Sequence, residues 1–378
     1  MVEWKKMWEI TAWDKKFQGV EKYMQKTIIP YKYLLAKDLF ALSVPNGNIK
    51  LLSTGVQEGW TSEELAGDLI SEGEVVTIPW GKSPGAQNPV KYFKGRFITG
   101  DNRIATSLDT NILNNKFLYY WMYSNSNLIE TFYRGAGIQH PSMFKVLNMS
   151  IPIPSLSEQN RIVGILDTFT DSIENLKQQI AQRRKQYEFY RNQLLDLEGK
   201  EGVEMKVLTE ICESNRGVRV VKKELQKSGL FPVFQNSIAP MGYYHKCNYD
   251  KPTPFVISAG AAGEVGFCET SFWAADDCLC ITCSKAVLPK YVFYFLSKNN
   301  YYLKTKVRKG AIPRLSRKVV ESLLIPVIDI ELQNTIVKKL DTFEASISNL
   351  EAQLAQRQKQ YEYYRNKLLS FGNGDGES

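Results

Sequence analysis

The chain has 378 residues, 43% of them apolar, and a formal net charge of +8. That length leaves room for two or three domains. No apolar run of 18 or more residues occurs, which excludes a membrane-spanning helix, and Met1-Val-Glu-Trp-Lys5 is not a secretory signal, so a cytoplasmic protein is expected.

Residues 1–150 read as a first module. After the opening VEWKKMWEI, short apolar stretches punctuated by Gly and Pro (IKLLSTG, EVVTIPWG) predict strands of a mostly β fold with irregular loops. The module ends with a predicted helix near Asn115, the segment Tyr133 to Ser142, and an Ile-Pro step.

Residues 151–197 follow a different rule. Ile162, Leu166, Phe169, Ile173, Leu176, Ile180, Tyr187, Tyr190, Leu194 and Leu197 recur in steps of three and four, with Arg183 filling the one vacant position. That is an a/d heptad, the signature of a coiled-coil seam. Ser155-Leu-Ser-Glu158 reads as a capping box after two prolines. About 40 helical residues make a rod of roughly 60 Å. Polar residues on its outer face (Gln178, Gln182, Arg184, Glu188) form a candidate docking surface.

Residues 198–202, EGKEG, read as a joint before a second module, 198–324. This module begins VEMKVLTEI, continues through LFPVFQNS and PFVISAG, and closes with a predicted helix near Leu288 and the segment Val307 to Ser316. The two modules share this outline while diverging in sequence. The segment 325–371 then repeats 151–197 at an offset of 174, with 27 of 47 aligned pairs identical. Its seam is Ile336, Leu340, Phe343, Ile347, Leu350, Leu354, Arg357, Tyr361, Tyr364, Leu368 and Phe371, and Asp329 is its cap. Residues 372–378 read as a disordered tail.

A single rod cannot bury its seam alone. The first rod leaves module one for module two, and the second leaves module two, so antiparallel pairing within the chain is expected; a parallel homodimeric zipper is the alternative. Arg183 and Arg357 are expected to reach solvent or pair with carboxylates and so set the register. The basic excess lies in the modules. Lys and Arg outnumber Asp and Glu by 17 to 14 in 1–150 and by 19 to 12 in 198–324, whereas 151–197 is balanced at six each. Basic modules and neutral rods suit a polyanion that meets the modules alone.

Catalytic and metal-binding signatures are missing. The six cysteines, Cys212, Cys247, Cys268, Cys278, Cys280 and Cys283, include no CxxC pair, and His140 and His245 are distant in sequence, so packed reduced thiols are expected, with DDCLCITC as a buried strand. No P-loop or dinucleotide fingerprint occurs; GAAGEVG at Gly260 has the wrong spacing. Asn88-Pro-Val-Lys-Tyr92 only faintly resembles the Asn-Pro-Pro-Tyr tetrapeptide of amino-methyltransferases. Asp276 and Asp277 are adjacent and are expected to face opposite sides of a strand. A chain that binds and does not catalyse is the expectation.

Two variable modules, each closed by Ile-Pro, a Gln-Asn-x-Ile-Val helix start (Gln159 to Val163; Gln333 to Val337) and a long heptad helix, resemble the DNA-specificity subunit of type I restriction–modification systems. The resemblance covers essentially the whole chain. It implies an α+β protein: two mixed α/β target-recognition domains (1–150 and 198–324) joined by two long antiparallel coiled-coil helices (151–197 and 325–371) with pseudo-twofold symmetry. Each domain would read one half of a split double-stranded DNA target. The helices would serve as spacer and as platform for two methyltransferase subunits and for restriction subunits. The chain itself would hold no cofactor and no metal; S-adenosylmethionine, ATP and magnesium would belong to the partners.

For DNA contact, polar loop side chains able to meet base edges or phosphates are the candidates. In module one these are Ser53, Thr54, Gln57, Lys82, Ser83 and Gln139; in module two Arg216, Arg219, Gln235, Asn236, Ser237 and Arg314. A coiled-coil adaptor whose modules bind proteins is the competing reading, separable by the steep salt dependence of DNA binding. A self-contained methyltransferase is disfavoured by the missing cofactor motif.

Overall fold

A computed structural model gives the structure of residues 2–55, 57–83 and 90–372. Asn88 and Pro89 of the Asn-Pro-Val-Lys-Tyr stretch, and the tail beyond Gly372, lie outside the described residues. Among the described residues, no helix is long and apolar enough to cross a membrane. The chain divides into two compact units, Met1–Asn175 with Leu354–Ser378, and Leu176–Gln353.

In the first unit the strands are β1 (Glu3–Lys6), β2 (Thr11–Trp13), β3 (Ile49–Leu52), β4 (Gly59–Thr61), β5 (Ser71–Pro79), β6 (Lys91–Thr99), β7 (Asn102–Ser107), the two-residue hairpin strands β8 (Tyr133–Arg134) and β9 (His140–Pro141), and β10 (Ser150–Ile153). A six-stranded sheet runs β2-β7-β5-β6-β3-β4, antiparallel except where β3 lies parallel to β6. β1 and β10 clip the two ends of the module together, Glu3 opposite Ile153. The Asn115–Ser124 helix starts at an Asn114 cap, whose carboxamide accepts from Lys116 and Phe117 N–H, and buries Phe117, Leu118 and Trp121. Those side chains share one core with Met7, Val76, Ile162, Leu166 and Leu369.

The second unit repeats the plan with β11 (Glu204–Val207), β12 (Cys212–Arg216), β13 (Phe231–Phe234), β14 (Gly242–Tyr244), β15 (Thr253–Ile257), β16 (Val265–Cys268), β17 (Trp273–Ala274), β18 (Cys278–Cys283) and β19 (Leu324–Val327). The sheets are β12-β18-β15-β16 and β14-β13-β17, with β13 parallel to β17, and β11 pairs with β19. The order is that of the first unit, with the strand matching β6 broken into β16 and β17. The Pro289–Lys298 helix covers this sheet with Tyr291, Val292, Phe295 and Leu296. β18 is the buried strand anticipated from DDCLCITC, and its cysteines are free thiols. Asp276 and Asp277 instead occupy the turn before it, so the expectation of two strand faces is corrected.

The long helices are Leu156–Leu194 and Ile330–Leu369. Ser155 Oγ accepts from Glu158 N–H at 3.3 Å, and Asp329 Oδ1 from Leu332 N–H at 2.8 Å. Glu158 turns to Arg161 (2.6 and 2.7 Å), so the first capping box is only half formed. In the first unit Ile162 and Leu166 are buried, and Phe169 stacks on Tyr364 with centroids 5.3 Å apart. In the second, Ile336 and Leu340 are buried, and Tyr190 stacks on Phe343 at 5.4 Å. In each unit the early turns of one helix lie along the late turns of the other, so the pairing is antiparallel. Arg357 is half-buried, and its guanidinium lies 5.6 Å over the Phe169 ring, a contact not anticipated beside the solvent or carboxylate expected. Arg183 lines a groove with Tyr190 and Phe343.

Candidate nucleic-acid interface

Each module is tied to its long helix by one buried glutamine. Gln159 takes Asn114 N–H on Oε1 (2.8 Å) and gives Nε2 to the carbonyls of Ile112 (2.8 Å) and Pro154 (2.9 Å). Gln333 takes Leu288 N–H (2.8 Å) and gives to Ala286 (2.9 Å) and Ile328 (2.8 Å). About two helical turns on, Tyr120 donates to Asp167 at 2.6 Å and Tyr294 to Asp341 at 2.5 Å. A repeated polar lock thus fixes the sheet of each unit on its helix and leaves the loops at the far strand ends to vary.

Those loops converge in the first unit. Backbone bonds gather them: Gly100 N–H to Leu52 O (2.8 Å), Trp80 N–H to Asp101 O (3.1 Å), and a reciprocal pair between Lys82 and Gln139 (3.1 and 2.9 Å). They enclose a cleft of about 220 Å³ walled by Ser53, Thr54, Trp80, Gly81, Asp101, Ile138 and His140 among others. His140 Nδ1 lies 2.7 Å from Trp80 O, and its ring packs 4.7 Å from that of Trp80. Ile138 is 66% exposed at the loop tip.

Of the residues predicted here, Thr54 lines the cleft, Gln57 and Ser83 are exposed, and Gln139 is half-buried. Ser53 and Lys82 are corrected. The Ser53 hydroxyl is buried and donates to Gly55 O (2.9 Å) and Gln57 O (2.6 Å), while Lys91 Nζ approaches it at 3.3 Å. Lys82 is 7% exposed, pairs with Glu130 and lies 5.0 Å over the Tyr133 ring. Both shape the loops from within and do not present polar atoms outward. Trp80, Asp101, Ile138 and His140 were missed; for Ile138 and His140 the one sequence signal is the segment Tyr133 to Ser142, whose counterpart recurs in the second module.

In the second unit the equivalent loops meet around Asp277. Ser258 donates to Asp277 O from both N–H (2.7 Å) and Oγ (2.9 Å), Ala261 N–H bonds Asn236 O (2.9 Å), and Leu315 N–H bonds Ser258 O (2.8 Å). Gly260, at φ +84°, allows the close approach: a Cβ there would stand 2.7 Å from Asn236 Cβ. Burial, then Asp276, pushes the Asp277 carboxyl above the ordinary carboxylate value, against a hydrogen bond from Gln235 and the nearby charges of Arg314 and Arg216. Of the predicted residues, Gln235 thus bonds the Asp277 carboxylate, and Arg216 and Arg314 act on it through their charges. Asn236 and Arg219 are exposed, and Ser237 is half-buried with its Oγ capping Ala239 N–H at 2.9 Å. The Arg308–Arg314 loop closes through reciprocal backbone bonds (2.8 and 3.2 Å) and carries exposed Arg308, Lys309 and Ile312, which sequence reasoning did not single out.

The strand registers make Asp101 and Asp277 counterparts, since Thr106 and Thr282 occupy equivalent pairings one strand-length on. Leu52 and Phe234 likewise match, because each carbonyl accepts from the turn before the last central strand. Both units thus present the same loop frame with different side chains on it.

Comparison with known proteins follows the same division. Residues 32–183 and 200–358 match the family described as type I restriction modification DNA specificity domain. A putative type I restriction enzyme specificity subunit of Haemophilus influenzae is 28% identical over 333 residues, covering 79% of this chain and 83% of its own. The EcoR124I/EcoR124II specificity subunit of Escherichia coli is 28% identical over 303 residues, 71% of this chain and 74% of its own. The crystal structure of a type I restriction-modification S subunit from M. genitalium shares the fold, with a TM-score of 0.74 at 20% identity over 98% of this chain and 97% of that one. The chain belongs to the type I restriction–modification DNA-specificity family and carries the family's domain twice.

Proposed function

We propose that the chain is the sequence-reading subunit of a type I restriction–modification complex. Each unit contacts one half of a split duplex target, and the paired helices hold methyltransferase and restriction subunits. The observation that carries this reading is the common loop frame: two equivalent faces, each locked to the helix turns of its own unit, differ in the side chains they display. Phosphate contacts hold a reader in register, and base-edge contacts give it specificity. Half-buried Thr54 and exposed Gln57, Asn236, Arg216, Arg219 and Arg314 have the chemistry for both. The chain takes no part in bond making. S-adenosylmethionine, ATP and magnesium are assigned to the partners.

The test is the methylation pattern of a host carrying this chain with its methyltransferase. Substituting Gln235 and Asn236 together by Ala is expected to relax one half of the target and leave the other half unchanged. An identical target in that variant removes the assignment. A protein-binding adaptor would show little of the steep loss of duplex affinity with salt that DNA contact requires.

A further inference from the structure

A second cavity, of about 520 Å³, borders the recognition cleft of the first unit, and Trp80 walls both. Lys15, Lys16 and Arg103 form its cationic side. Arg103 is only 5% exposed; its guanidinium lies 3.9 Å over the Trp80 ring, with the Phe17 ring 5.9 Å away. Nη1 is committed, donating to Asp101 Oδ1 (2.8 Å) and Asn102 O (3.1 Å). The buried Nε has no hydrogen-bond partner among the described residues. An unsatisfied buried donor costs about 1–3 kcal/mol, and more when charged, so a structural ion pair with Asp101 explains one edge of this guanidinium and leaves the other edge unexplained. Lys15 stands 3.5 Å from both Asp14 and Asp101, while Lys16 is exposed beside it. The two carboxylates offset two of the three cations, and the cavity keeps a positive excess.

We propose that this cavity seats a backbone phosphate of a DNA strand, held by Arg103 and Lys16. A planar guanidinium pinned between rings is suited to phosphate oxygens, and pinning reduces the entropy lost on binding. The proposal rests on the DNA-reading role above and adds to it a positioning contact that carries no sequence information. A strand is favoured over a free phosphate because the cavity adjoins the recognition cleft and is far larger than one phosphate group. The seat belongs to the first unit alone: by strand register the residue matching Arg103 in the second unit is Leu279.

The experiment titrates the full chain with labelled duplexes of unrelated sequence between low and moderate salt. Lys16→Ala and Arg103→Gln are each expected to reduce the slope of log K against log salt by about 0.9, the value for one lost phosphate contact on duplex DNA. Each should weaken all duplexes by the same factor and leave the methylated target unchanged. Lys16 is exposed, so its variant stays informative even if Arg103→Gln impairs folding. Unchanged slopes in both variants overturn the seat. So does stabilisation of the chain against heat by inorganic phosphate, relative to chloride at equal ionic strength, that Arg103→Gln abolishes while the duplex slope stays fixed; that result assigns the cavity to free phosphate. Absence of salt-dependent duplex binding by the unsubstituted chain identifies failure of the DNA-reading role itself.

Discussion

Gln159 and Gln333 bury an amide that makes three hydrogen bonds in each unit, at the junction of module and helix. Gln333→Leu keeps much of the volume and strands the Ala286 and Ile328 carbonyls and the Leu288 N–H. Each orphaned group costs about 1–3 kcal/mol, and partial relaxation makes about 3 kcal/mol in total the expected loss, read as a lower urea midpoint at unchanged m. Glu344 is a second residue with a defined consequence. It accepts from Tyr187 (3.1 Å) and Tyr294 (2.9 Å), yet burial raises its pKa, with Asp341 adding to the rise against those bonds and Lys290. The folded chain therefore holds this proton longer than the unfolded chain. Between the ordinary glutamate value and the raised one, stability falls as pH rises. Glu344→Gln removes that dependence: urea midpoints measured from about pH 4 to about pH 7 should diverge in favour of the variant as pH increases, and parallel curves would refute the sign. The Gln-Asn-x-Ile-Val start was legible as a repeated motif. Its role was not, because its partners, Ile112 and Ala286, come from loops about 47 residues away.

At the level of elements, the duplicated helices were read to within a few residues from periodicity alone, since a coiled coil records its packing locally in every heptad. The aromatic overlap was not visible there. Phe169 on Tyr364 and Tyr190 on Phe343 are the same pair met once in each unit, both at 25° between planes. A double-mutant cycle on Tyr190 and Phe343, each changed to Leu, should give a coupling of about 0.5–1.5 kcal/mol, and the Phe169–Tyr364 cycle should match it. The sheets were harder. Short apolar runs such as Lys50–Leu52 and Phe231–Phe234 announced strands, but parallel pairing of β3 with β6 and of β13 with β17 joins segments some 40 residues apart, and no local pattern encodes that. The break between β16 and β17 concealed the likeness of the two modules still further. Loop residues fared worst: Ser53 and Lys82 are polar, lie in loops, and are consumed by the loops' own hydrogen bonding.

For the whole molecule, the repeat sets the logic. If the helices serve as the spacer proposed, removing one heptad (seven residues) from matched positions in both, for instance Leu176–Gln182 and Leu350–Gln356, should shorten the interval between the halves of the methylated target or abolish modification; an unchanged interval would separate spacing from helix length. The clip between β1 and β10 has another implication. It places Met7 in the same core as Leu369, and Phe117 meets Phe371 at 6.3 Å, so the described beginning and end of the chain belong to one folded unit. Sequence order is then a matter of where the chain is opened. A circular permutant that opens at Gly202 and joins the present ends through a short flexible peptide should unfold at nearly the same temperature as the parent. In such a protein the half synthesised first would be the one now made last.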